Sequence, residues 1–398
     1  VAASPVGFGP HPGATMKIIV GGYIIGFPLG GMTWHHLNYL LGFHALGHEV
    51  VFFEDSGQYY KPYHPLNWTD TVDSTYGRDY LTRTFARYGL NIPWCYYSEF
   101  EDRHYGLSRE AIDDHLRTAD LMICVSGITP LRDERPRPRR TCVIDTDPVF
   151  TQLRMRHDAH FVDYFRQFDS VATFGRLIGT SQSPLPTHGF NWIPTNQPVA
   201  LDHWPVHPVP SRNFTTIGKW EHATARDMTF DDRTYRSSKR VEWDRLIDLP
   251  AQSPFPLGFG MAGMDDTARH DYASRGWQLH DAERATISCE SFQHFIQQSA
   301  GELTVAKQIY AGLLSGWFSD RSACYLSSGR PVVTQASGFD QWLPTGAGLF
   351  SFTTPEEALA ALRSIASDFP AHAKAARRIA ERYFDASVVL SQLLSEVA

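Results

Sequence analysis

The sequence predicts a doubly wound α/β protein of two lobes with a cleft between them. The chain opens on a short apolar strand, a glycine loop, a buried helix and a second buried strand. A stiff linker with Pro205, Pro208 and Pro210 falls near its middle, over 202–212. Beyond the linker, strand and helix patterns alternate again. At 398 residues, 42% hydrophobic and 20% charged, there is material for two cores. The same mixture excludes disorder, collagen and coiled coil.

Each element follows from local pattern. Residues 1–15 are rich in Pro and Gly and carry no Lys or Arg, so they read as an extension rather than a secretory signal. Met16 leads into the first strand. No Asp, Glu, Lys or Arg occurs from Ile18 to His48, but seven glycines, Pro28 and Asn38 argue against a membrane span. A buried strand, a loop and a helix over 33–46 explain the stretch, with Thr33 as N-cap and Gly47 as C-cap. Residues 48–55 form the second strand and end on Glu54 and Asp55. Strands follow at 121–125, 142–145 and 170–174, and 192–198 closes the first half. The second half predicts strands at 214–218, 255–261 and 331–335. It predicts helices at 319–328, from 355 (TPEEA), and over 371–394. The domains expected are 16–205, 206–375 and a terminal helix over 376–398.

A net charge of −7 predicts no general attraction to nucleic acid or anionic lipid, so no nucleic-acid partner is expected. Five cysteines without a CxxC spacing argue against a disulfide framework or zinc ribbon and suit the cytoplasm.

Two glycine loops are candidate anion sites. In the first, Gly30 and Gly31 open a helix whose free N–H groups suit phosphate; a tight turn packing strand on helix would use the same glycines. Glu54 and Asp55 would suit a ribose, but the loop lacks GxGxxG, so a nicotinamide-dependent oxidoreductase is the second reading. In the other loop, Ser315, Gly316 and Ser319 precede a helix that starts with Asp320 and Arg321, and Arg321 would hold a diphosphate. Glu302 and Lys307 lie just upstream of that loop and could face the cleft, and an ion pair serving structure is equally plausible. His35 or His36 could take a proton from a hydroxyl. Asp145 ends a strand, within Asp145-Thr146-Asp147, at the carboxyl end where such sheets bind ligands. His157, His160 and Asp163 have helical metal-ligand spacing but read better as a half-exposed face. The basic loop with Arg132, Arg135, Arg137, Arg139 and Arg140 could touch phosphate, but in an acidic protein it is weak evidence for nucleic acid. Trp94, Tyr96, Tyr97, Trp192 and Trp204 would suit ring stacking, with core packing as the default.

The order of these motifs resembles glycosyltransferases of the GT-B fold. The Gly-Gly loop, the helix and "GHEV" are similar to the opening of family-4 enzymes; "GRPVV" and "GLFSF…PEEALAAL" are similar to their donor half. The resemblance spans Met16 to the end. It implies a nucleotide-diphosphate sugar as co-substrate, no metal, a hydroxylated small molecule or glycan as acceptor, and a terminal helix crossing back to the first lobe. It gives His35 the family's position after Gly31 and makes it the candidate base beside Asp145. The two glutamates usual in family 4 are Gly316 and Cys324 here, which leaves the stereochemistry open. Asp340 and Gln341 fall where family-1 enzymes bind donor hydroxyls, and Lys219 and Lys239 fall where GT-B enzymes place the cations that grip the donor diphosphate, Lys239 and Arg321 being preferred to Lys219. A bilobal binding protein without catalysis is the third reading.

Overall fold

The computed structural model describes residues 15–57, 61–208, 211–220, 227–236 and 238–398. Two α/β lobes face each other. The first holds strands β1 (Lys17–Gly21), β2 (Glu49–Asp55), β3 (Trp94–Ser98), β4 (Arg103–Gly106), β5 (Leu121–Val125), β6 (Thr141–Asp145), β7 (Ser170–Thr173) and β8 (Trp192–Pro194). They form one sheet in the order β8-β7-β6-β5-β1-β2-β3-β4. All pairs are parallel except β3 with β4. Ile18, Ile19 and Val20 are fully buried, as a central parallel strand requires.

The uncharged opening stretch is strand, loop and helix α1 (Gly30–Ala45). The helix starts three residues before the expected Thr33 cap. Thr33 lies in the first turn, and its hydroxyl donates back to Leu29 O at 2.9 Å. The early start follows from packing. α1 is buried on nearly all sides, between its own sheet, α2 (Cys289–Gln298) of the second lobe and the C-terminal helix.

The second lobe holds β9 (Phe214–Thr215), β10 (Ile217–Lys219), β11 (Gly258–Ala262), β12 (Gln278–Leu279), β13 (Gly301–Thr304), β14 (Val332–Gln335) and β15 (Leu349–Phe352). The expected strand at 214–218 is divided at Thr216. β9 pairs with β13, and β10 pairs with β11, all parallel. A core of Trp220, Trp243, Phe259, Tyr272 and Trp277 packs on this layer. Helices α3 (Asp320–Ser327), α4 (Pro355–Ser367), α5 (Phe369–Tyr383) and α6 (Ala386–Val397) complete it. The TPEEA signal forms a reciprocal cap, with Glu357 N donating to Thr354 Oγ1 and Thr354 N to Glu357 Oε2.

The single terminal helix expected over 371–394 is two helices. Val199 of the first lobe pairs strand-like with Asp385, its N–H bonding Phe384 O at 2.7 Å. That diverts the backbone between α5 and α6. α6 then lies on α1, where a side chain at Gly42 would collide with Leu390 and Ala386. No helix of the described residues is long and apolar enough to cross a membrane. All five cysteines are buried and free.

Candidate functional site

The carboxyl ends of parallel strands are where α/β sheets bind ligands. In the second lobe, β10 ends on Lys219, and Lys307 lies just past β13. Arg321 stands in the first turn of α3 and Lys239 just before the turn at Arg240–Asp244. Among the described residues, the ammonium groups of Lys219, Lys239 and Lys307 have no carboxylate partner. Lys219 lies 5.7 Å from the Phe27 ring, across the cleft, and Lys307 lies 4.3 Å from the Phe150 ring. Lys239 is half-buried; desolvation, and then the charges of Arg321 and Lys307, push its ammonium down to about 7.

Arg321 is engaged differently from expectation. Its Nε donates to Glu302 Oε1 at 2.6 Å, and its two terminal nitrogens donate to Ile217 O and Thr304 Oγ1. Glu302 is fully buried and takes a second bond from Thr216. Arg321 therefore pins α3 onto the sheet, through a buried ion pair with Glu302. Lys307 takes no part in it. Three of the guanidinium's five donors are fixed by protein, so the cations facing the cleft without such ties are the lysines.

Asp320, beside Arg321, points to the other lobe. Its Oδ2 lies 3.4 Å from His35 Nδ1, and its Oδ1 accepts from Arg321 N. Burial opposes this carboxylate's charge, but His35 and then Arg321 outweigh it and hold the group at about 2. Its side chain is 41% exposed whereas that of His35 is 6% exposed, so the pair runs from the cleft into the interface. His35 Nε2 lies 3.3 Å from Ser126 Oγ, which lies 2.7 Å from Thr146 Oγ1. His36, one residue on, faces the first lobe's interior. Burial, reinforced by His35, brings its ring down to about 3, and its Nδ1 bonds Met32 O.

Asp145 does not share this site. Both of its oxygens are held inside the lobe, by Thr151 at 2.7 Å and by Gln152 and Thr173 at 3.0 Å. Burial raises its carboxyl to about 6 against those bonds. It anchors the loop after β6. Asp147 crosses the cleft and accepts from the Tyr310 hydroxyl.

The first glycine loop is occupied by protein. A side chain at Gly30 would sit 2.1 Å from Ser288 O, and one at Gly31 3.2 Å from the Phe292 ring. Both glycines permit α2 to approach. The N–H groups of Ile24, Ile25 and Gly26 all donate to Glu54 at 2.6–2.7 Å. Asp55 carries a bidentate bond from Arg132. Neither acid is free for a ribose, which removes the support for a nicotinamide site. Arg135 of the same basic loop is tied to Asp113 and His104.

Ser315 and Gly316 dock the other loop on the first lobe. Leu177 N donates to Ser315 O, and Gly316, at φ +77°, leaves room for Leu177. The buried Ser319 precedes α3 and lies 3.4 Å from Asp320 Oδ1. Asp340 and Gln341 are exposed on the turn Phe339–Gln341 and make no bond to the Glu302–Arg321 group. His157 lies outside the helix Ala159–Arg166, and it, His160 and Asp163 are exposed. Among the described residues no three His, Cys, Asp or Glu side chains cluster as a metal site. Trp192 and Trp204 are core residues; Trp204 packs on Trp34. A cavity of about 900 Å³ lies away from the lysines, beside α2, with His280, Arg284 and His294 in its wall.

Sequence reasoning missed Ser126 and Thr146. The signal available was Ser126-Gly127 directly after the apolar strand LMICV. It also missed Asp320 as the partner of His35, because the two are far apart in the chain and meet only across the lobes.

No family model and no curated protein sequence matches the chain. Solved structures do. Over 96% of its length it is similar to AviGT4, a glycosyltransferase involved in avilamycin A biosynthesis, at 13% identity, covering 96% of that chain with a TM-score of 0.53. It is similar over the same share to an α-glucosyltransferase in complex with UDP and a 13-mer DNA, at 11% identity, 99% of that chain and a TM-score of 0.55. It is likewise similar to Anabaena HepE in complex with UDP-glucose, at 12% identity, 99% of that chain and a TM-score of 0.53. The chain thus has a GT-B-like bilobal fold; at such identity the likeness is one of fold. The expectation that excluded nucleic acid is corrected here. Two of the similar structures hold DNA, so this fold does not exclude such a partner.

Proposed function

We propose that this protein transfers a sugar from a nucleotide-diphosphate donor to an acceptor hydroxyl. One observation carries the reading. Lys239 and Lys307 stand near Arg321 in the second lobe, with no ion-paired carboxylate on either ammonium among the described residues; Glu302 and Asp320 offset only part of the burial and neighbouring positive charge at Lys239. That is an arrangement for a polyanion held between lobes. The lysines would neutralise the charge that develops on the leaving diphosphate. Arg321 keeps α3 in place. The similarity to structures that hold UDP and UDP-glucose supports the donor class. Catalysis would rest on positioning and charge stabilisation, with His35 as the destination of the acceptor proton.

The test is direct binding of UDP, GDP, dTDP and NAD by calorimetry, followed by nucleotide release from the matching sugar donor. A nucleoside diphosphate should bind, and Lys239→Met should weaken it by about 10–100-fold, the worth of one charge-assisted contact. Binding of NAD alone, or undiminished binding by a folded Lys239→Met protein, would sink the reading. The acceptor screen should include simple sugars, phenols and DNA.

A further inference from the structure

We infer that Ser126 is the group that meets the acceptor hydroxyl, and that it passes the proton to His35, held in place from the opposite lobe by Asp320. This rests on the transferase reading above.

The first ground is access. His35 lies between α1 and α3, and the crevice lined by Gly31, Trp34, His35, Asn38, Asp320 and Arg321 has a volume of about 10 Å³. That is room for one water at most. The His35 side chain is 6% exposed, so little of the imidazole is open to an acceptor. Ser126 is half-buried at the end of β5, and its Oγ lies 3.3 Å from His35 Nε2.

The second ground is backbone geometry. Ser126 has φ +62°, in the left-handed region, at the carboxyl end of a fully buried parallel strand. Few non-glycine residues adopt that region, and Ser126 does so at the carboxyl end of a strand, where α/β sheets meet ligands. Ser126 and Gly127, both at φ +62°, are the central residues of the tight turn after β5, and that turn sets the direction of the Ser126 side chain. Its hydroxyl contacts only His35 and Thr146 among the described residues.

The third ground is the direction of the hydrogen bonds. Asp320 Oδ2 faces His35 Nδ1 at 3.4 Å without an aligned hydrogen bond, and the relay requires the proton on Nδ1, toward that negative charge. Nε2 then accepts from the Ser126 O–H. The Thr146 hydroxyl donates to Ser126 Oγ, which keeps one lone pair for the acceptor O–H. In the transfer, the acceptor oxygen bonds the anomeric carbon as the bond from that carbon to the diphosphate oxygen breaks, its electron pair leaving with the diphosphate. The acceptor proton moves to Ser126 Oγ as the Ser126 proton moves to His35 Nε2. The imidazolium formed faces Asp320, and its extra proton returns to solvent afterwards. Ser126 touches substrate; Asp320 is a positioning residue.

The test uses nitrogen NMR of the histidine-labelled full chain, with His35 assigned by its loss in His35→Asn. A bare Nε2 and a protonated Nδ1 are expected. Ser126→Gly should shift Nε2 and leave Nδ1, and Asp320→Asn should shift Nδ1. Glycine relieves the strained φ, so this variant folds at least as well as the parent. With the donor identified by nucleotide binding, it should lose on the order of 10²-fold in turnover while binding nucleotide normally. A His35 protonated at Nε2 with a bare Nδ1, or full turnover in Ser126→Gly, overturns the relay. A wild-type protein that binds no nucleoside diphosphate defeats the transferase reading instead, whatever the tautomer.

Discussion

Replacing Lys239 by methionine should weaken donor binding and remove its pH dependence near neutrality. Burial and the charges of Arg321 and Lys307 bring this ammonium from 10.5 to about 7. About half of the molecules then carry the charge at pH 7, and about one in a hundred at pH 9. A diphosphate prefers the charged form, so its arrival draws a proton onto the lysine. Affinity therefore falls as pH rises above 7, at up to about tenfold per pH unit. The fall levels off once the contact's own worth is lost, about 1.5–3 kcal/mol. Between pH 6 and pH 9 the total is about 10–100-fold. A sugar nucleotide is the ligand to use, because both of its phosphates are esterified and neither titrates near neutrality. Calorimetry at pH 7 in buffers of different ionisation heat should show about half a proton taken up per donor bound. Lys239→Met should show none. Equal uptake in both proteins, or none in the parent, refutes the reasoning.

Two further outcomes follow from packing. Arg321→Ala leaves the Glu302 carboxylate buried and unpaired, and should cost about 3–5 kcal/mol of stability in urea denaturation; Arg321→Met with Glu302→Leu should recover part of it. Unchanged stability in the single variant would show that the pair is not buried as described. Gly30→Ala places a methyl against Ser288 O and should cost about 1–3 kcal/mol, with a larger radius of gyration in X-ray scattering as the lobes part. An alanine variant with the parent's scattering and stability would contradict the contact between α1 and α2.

The layered architecture was legible because its signals are local. Apolar runs such as Ile18–Val20 and LMICV, and the TPEEA cap, each act within a few residues. Element ends shifted where distant parts of the chain intervene. α1 begins early because α2 packs on its glycines, and the terminal helix divides because Val199 pairs with Asp385. The lysines were visible as residues, and the roles of Arg321 and Asp145 were not. An arginine after a glycine loop has the same sequence whether it meets a phosphate or a glutamate from a neighbouring strand. Likewise Asp145 looks catalytic until Thr151, Gln152 and Thr173 surround it. The Asp320–His35 contact joins residues on separate lobes, which no local pattern reports.

Glu54 gives the two halves opposite electrical character. Its carboxyl group already occupies the N–H groups of Ile24–Gly26, so that cradle is closed to an incoming anion. The second lobe presents Lys219 and Lys307 without a paired carboxylate among the described residues. An anion entering the gap is therefore drawn toward the second lobe, with no competing pull from the amides that Glu54 fills.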